Sequence, residues 1–248
     1  MTSTEISIVL LAAVVAALIK TIAGMGYPLI LIPVLAMFLD LDEAVSIVAI
    51  SNLVLNLTLV WSTKSQRDRS MPLAWFLMSG AIGAAVGAAL LTRVDQVLLR
   101  WALVILIVAF IGSRLLDGNK VQSQPASSQL RATSVPVGAA AGFFQGAAGI
   151  SGPLVSPYFL WAGVRNEPYV FAIASVFSVV GASQIIVLAL DGAFTRGRWL
   201  LGFALVIVAQ AMVPFGARLR DRLNPERFEQ AVLLLLVVAA ISITVRNV

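Results

Sequence analysis

Two apolar tracts in this chain, at about 6–38 and about 133–164, fit no simple membrane helix. Each runs for roughly 32 residues, while a helix crossing the hydrocarbon of a bilayer needs about 20. One straight span leaves residues over, and two full spans with a loop need more than the tract supplies. Six further apolar runs, at about 44–62, 73–92, 97–116, 168–190, 199–217 and 231–245, each have the length of one ordinary span. With 60% of 248 residues hydrophobic and 12% charged, no soluble surface can be assembled, so the chain reads as an all-α polytopic membrane protein. The segment MTSTEISIVLLAAVVAALIK lacks the basic n-region of a cleavable signal, and the N-terminus is expected to be retained.

Both long tracts contain the same interruption. AGMGYPLILIP at 23–33 returns as AGISGPLVSP at 148–157. Glycines relax the helix, and the proline behind them suits the first turn of a new one, where its missing N–H costs nothing. Each tract is therefore expected to be a broken or re-entrant pair of shortened helices. Irregular backbone at membrane depth is tolerated only where it is buried in protein or lines a wet cavity.

A shift of 125 residues aligns more than this segment. It places Ala23, Gly24, Pro28 and Leu29 on Ala148, Gly149, Pro153 and Leu154, Asp42 on Glu167, Val45 on Val170, Ala49 on Ala174 and Arg93 on Arg218. The chain reads as two repeats, 1–116 and 135–248, joined by a polar linker at 117–134, DGNKVQSQPASSQLRATS. Each repeat holds one broken pair and three ordinary spans and crosses an odd net number of times, so the two are expected to be inverted, a common transporter plan. Basic loop residues agree. If 63–71 is cytoplasmic, that side collects Lys64, Arg67, Arg69, Arg114, Lys120, Arg131, Arg165, Arg218, Arg220, Arg222 and Arg227, against Arg93, Arg100, Arg196, Arg198 and Arg246 opposite. Arg196 and Arg198 run against the rule.

Behind each break a half-helix aims free N–H groups and its positive dipole end into the protein, an arrangement that binds anions without a neighbouring cation. The candidate substrate-binding residues are Gly24, Gly26, Tyr27 and Pro28 in the first break and Gly149, Ser151, Gly152 and Pro153 in the second. A helix kink or tight packing is the competing reading, against which stands the recurrence at matching places. Lys20 and Gln145 occupy equivalent positions before the breaks. A buried ammonium is costly and points to function, although a side chain snorkelling to water or resting on a helix C-terminus is also open. Asn52 and Asn56 share a helix face, and Ser175 and Ser178 lie in the equivalent helix. They either line the cavity or bond between helices. Gln184 and Gln210 look isolated. Asp42 and Glu167 precede equivalent spans, as helix N-terminal partners or as coupling sites at the mouth of a pathway. The Gly83/Gly87 and Gly138/Gly142/Gly146 spacings read as close helix packing.

What is missing narrows the class further. The chain has no cysteine and no histidine, and its acidic residues fall at span ends or in loops, so a buried carboxylate relay, a metal site and cofactor chemistry are not expected. No triad, phosphate loop or metal-ligand spacing supports an enzyme. The net charge of +5 is scattered over short loops and reads as topology and lipid-headgroup contact instead of nucleic-acid binding.

With GMGYPLILIP and GAAGISGPLVSP opening two related halves around a polar linker, the chain resembles the sulfite exporter TauE/SafE family of membrane proteins over nearly its whole length. The resemblance implies export of small sulfur-containing or organic anions, such as sulfite or sulfoacetate, across the cytoplasmic membrane of a prokaryote. Tyr27 departs from a glycine-rich break. The resulting expectation is a secondary transporter working by alternating access around a midplane site. A channel-like anion pathway and a non-transporting scaffold are the alternatives. Its partners would be a small anion and the bilayer, with a homo-oligomer also compatible.

Overall fold

The computed structural model describes residues 3–35, 37–66, 73–90 and 126–220, together with 101, 105, 108, 222 and 237. Apart from residues 101, 105, 108 and 237, the spans expected at 97–116 and 231–245 lie outside the described residues, as does 117–125 of the expected linker. Residues 127–134, polar in composition, are already helical.

Eight α-helices make up the described part, with a short 3-10 turn at Lys64–Gln66. They are α1 (Ser3–Ala23), α2 (Tyr27–Leu35), α3 (Leu41–Thr63), α4 (Leu73–Ala89), α5 (Ser127–Ala148), α6 (Gly152–Trp161), α7 (Asn166–Leu190) and α8 (Arg196–Arg220). The starts of α2 and α6, and of α3 and α7, each lie 125 positions apart, as do the ends of α1 and α5.

Four helices, α1, α3, α7 and α8, are long and apolar enough to cross a membrane, and the protein is a multi-pass membrane protein. In α3, 67% of the most apolar window is buried inside the protein, and in α7 56%, against 22% in α8. The first two are therefore central. The third turns Leu200, Phe203, Ile207 and Phe215 outward, as a lipid-facing helix does.

The long tracts differ from expectation in one arm. In the first tract α1 is a full-length helix of 21 residues, and in the second α5 has 22. Only α2, with nine residues, and α6, with ten, are short. At 1.5 Å per residue each short helix covers about 14–15 Å, half of a hydrocarbon core of about 30 Å, so neither can cross. Both pack back against the helix before them. The reason is the position of the glycines: the helix continues until Gly24 and Gly149, which adopt φ of 74° and 70°, left-handed values that end it.

Packing between the halves is reciprocal. α1 lies on α8 and α5 on α4; α3 lies on α8 and α7 on α4; α3 and α7 meet each other. Exchanging the halves maps this list onto itself. Along the α4–α5 seam backbones touch: a Cβ added to Gly83, Gly87, Gly142 or Gly146 would collide with a backbone carbonyl of the facing helix. Here the glycines serve close packing, as their spacing indicates.

Ion pairs fix both ends of α8. Arg198 reaches Glu43 at 2.7 Å and Asp42 at 3.5 Å at the start of α3, and Arg220 reaches Glu167 at 3.2 Å at the start of α7. Twenty-two residues separate the two arginines in one helix, about 33 Å of rise.

Candidate functional site

Both breaks are three residues long, 24–26 and 149–151. Each packs on the other half's matching valine: a Cβ on Gly24 would stand 3.5 Å from the Val170 Cα, and one on Gly149 would stand 3.3 Å from Val45 Cγ1. Met25 of the first break is fully buried, and its Sδ would lie 3.5 Å from a Cβ on Gly152 at the start of α6. The two interruptions therefore meet.

Between them lies a small cavity of about 10 Å³, room for about one water molecule. Seven of the sequence candidates line it: Gly26 and Pro28 from the first break, Gly149, Ser151 and Gly152 from the second, Asn52 from α3 and Gln145 from α5. Met25, Leu29, Ile150 and Phe177 complete the wall. Asn52 is the central residue of α3 and Phe177 stands near the centre of α7, so the cavity sits at mid-length of the two most buried helices.

The polar wall is partly committed. The Ser151 hydroxyl donates to Gln145 Oε1 at 2.8 Å instead of capping α6, whose first turn has no side-chain cap. Gln145 Nε2 donates to Gln184 Oε1 at 3.1 Å, and Gln184 Nε2 donates to the Gln145 carbonyl at 2.8 Å. Gln184 is fully buried and joins this network, which corrects the reading that it is isolated. Gln210 likewise bonds across helices, donating to Thr58 Oγ1 at 2.8 Å. By contrast, Oδ1 of Asn52, a residue 3% exposed, has no partner among the described residues. An unpartnered buried amide oxygen costs about 1–3 kcal/mol, so a polar occupant of this cavity would restore what the fold gives up.

The other candidates stand outside the cavity wall. Lys20 is completely buried, donates to the Gly24 carbonyl at 3.2 Å and lies 4.6 Å from the centroid of the Phe177 ring. It thus completes the C-terminal turn of α1 while touching a ring that lines the cavity. No carboxylate pairs with it among the described residues. Gly24 supplies the turn, and Tyr27 turns away to donate to Ser51 Oγ at 3.1 Å, tying α2 to α3. On the other side Tyr169 donates to Ser156 Oγ at 2.5 Å and ties α7 to α6. Pro153 occupies the first turn of α6, and the Ser175 hydroxyl donates to the Phe171 carbonyl of its own helix at 2.7 Å. Asn56 is fully buried with neither amide atom partnered. Asp42 and Glu167 lie in the first turns of α3 and α7, paired as described, and so remain ten residues from Asn52 and Phe177 respectively, about 15 Å along each helix.

Phe177 and Gln184 were the site residues least visible in the sequence. Phe177 reads as one more apolar residue in a buried span, and the signal that locates it is its register: it stands 125 positions after Asn52. Gln184 follows it by seven residues, two turns on the same face.

Among the described residues no cluster of acidic or other ligating side chains could hold a metal ion. No curated protein and no solved structure matches the chain. The family model described as sulfite exporter TauE/SafE matches residues 9–243, nearly the whole chain. With that span matched, this polytopic chain belongs to the sulfite exporter TauE/SafE family, a family of transporters.

Proposed function

We propose that the protein is a secondary exporter of small anions, sulfite or organosulfonates such as sulfoacetate, in the cytoplasmic membrane of a prokaryote. The observation that carries the site is the joint lining of one cavity by both breaks, with the orphaned Asn52 Oδ1 between them. The helices α2 and α6 both begin there, so two positive dipole ends meet at one place, with no side-chain cap on α6, as an anion requires. Lys20 adds a buried amine behind the Phe177 ring. No carboxylate of the described residues lines the cavity to repel an anion.

The inverted arrangement of the repeats is supported by α8. Its two ends hold the start of α3 and the start of α7, about 33 Å apart, so these equivalent helices run in opposite directions. A cavity with room for one water is too small for a sulfur oxyanion, so binding requires the walls to part. In alternating access one bundle moves against the other, opening the site to each side in turn. The ion pairs of Asp42, Glu43 and Glu167 sit where such opening strains the ends of α8, a place for coupling to act.

The test is thermal stability of the purified protein in detergent against sulfite, sulfate, thiosulfate, sulfoacetate, taurine, acetate and chloride. One sulfur oxyanion or sulfonate is expected to stabilise the protein by mass action. Lys20→Ala and Ser151→Ala are each expected to weaken that anion by about tenfold, equivalent to about 1.4 kcal/mol. A folded protein that responds to none of these anions contradicts the proposal and favours a scaffold.

A further inference from the structure

The unpartnered polar atoms of the central helices do not stop at the cavity. Asn52 and Phe177, which line it, are equivalent positions in the two halves. One turn further along each helix stand Asn56 and Gly181, again 125 residues apart. Asn56 is fully buried, yet among the described residues neither its carbonyl oxygen nor its amide nitrogen has a partner. Gly181 is buried as well, yet a Cβ added to it would meet no heavy atom within 4 Å. Ser178, three residues earlier on the same face and 8% exposed, carries an unpartnered hydroxyl. Gly192 and Gly197, which have the same open space, lie in the turn after α7 and in the first turn of α8. A membrane helix gains nothing from burying a free amide, a free hydroxyl and a gap at related places, unless something polar occupies them.

From this we infer that the seam between α3 and α7 is a hydrated polar path, entering the cavity past Asn56 on one side and leaving it past Ser178 and Gly181 on the other. Its ligand is a small oxyanion carrying part of its water. An amide with both ends free and a free hydroxyl each offer a donor and an acceptor, which suits water and oxyanion together, and nothing at these positions offers the carboxylate a cation needs. The inference rests on the proposed transport function for the anion and on the opposed directions of α3 and α7 for placing the two positions on opposite sides of the cavity.

The chain has no cysteine, so single Asn56→Cys and Gly181→Cys variants can be reconstituted in lipid vesicles and treated with a charged, membrane-impermeant methanethiosulfonate reagent from either face. Exposed Lys64→Cys reports reagent access, and Ile186→Cys, 60% exposed on an apolar helix, reports lipid-facing background. Both test cysteines are expected to label well above Ile186→Cys, from opposite faces, and to lose labelling rate when methanesulfonate is present. Background labelling of both, with Lys64→Cys reactive, overturns the path, and so does labelling from one face only. Labelling that methanesulfonate leaves unchanged keeps the path and removes the anion. In a second measurement, Gly181→Leu fills the gap. It is expected to keep anion-induced stabilisation while losing flux of labelled sulfite, and retained flux with a folded protein overturns the path independently.

Discussion

At the scale of single residues, the site is a place where the protein forgoes stability. The free amide of Asn56 is the sharpest case, because a leucine of similar size removes the unpartnered atoms and adds apolar contact. Asn56→Leu is therefore expected to raise thermal stability, by about 1–3 kcal/mol of recovered desolvation cost, while lowering anion flux. A melting curve and a flux assay on the same preparation check both signs. Gly149 is the opposite case: its φ of 70° is left-handed backbone that alanine adopts only at a cost, and an added Cβ would push on the Ile32 Cδ1 atom 2.8 Å away. Gly149→Ala is expected to cost about 1–2 kcal/mol from the left-handed backbone alone, before any clash. Gly152→Ala, whose Cβ meets nothing closer than 3.5 Å and whose φ is not positive, is the control and should melt much closer to wild type. Such residues were legible in the sequence because glycine and proline carry their reason locally. Asn52 and Asn56 share a face and could be picked as a pair, but the cavity reaches only the first. The pairing of Gln145 with Gln184 depends on a helix crossing 39 residues away, which no local pattern records.

At the scale of elements, helix length and helix contact are set by different residues. Apolar runs located α3, α4, α7 and α8 to within a few positions, because the hydrocarbon thickness dictates how long a span must be. They could not tell how a tract of 32 residues divides. The division, 21 or 22 residues followed by nine or ten, is decided by where the left-handed glycines fall. The α4–α5 seam is held by backbone approach across glycines, so adding one carbon there forces the helices apart. Gly142→Ala is expected to destabilise the protein by about 1–3 kcal/mol, the usual cost of overpacking. Gly197→Ala, whose Cβ meets nothing within 4 Å, is expected to leave the melting temperature unchanged or slightly higher.

At the scale of the molecule, the halves are interlocked: the first helix of each lies on the fourth helix of the other, and α8 is tied to the starts of both central helices. The two ties differ in exposure. The Arg220 side chain is 6% exposed and that of Arg198 16%, so removing the acidic partner leaves the better-buried guanidinium in the first case. Glu167→Gln is expected to cost about 1.5–3 kcal/mol, the loss of a hydrogen bond between charged groups. Glu43→Gln, with Asp42 still present, is expected to cost about 1 kcal/mol or less. Thermal unfolding of the two variants side by side decides the order. The most direct measurement of the whole account is counterflow: the purified protein in proteoliposomes loaded with unlabelled sulfite, with labelled sulfite added outside. A carrier with one anion site reached from alternate sides predicts saturable entry of label that internal sulfite accelerates. Entry no faster than in protein-free vesicles, from protein shown to be folded, contradicts it.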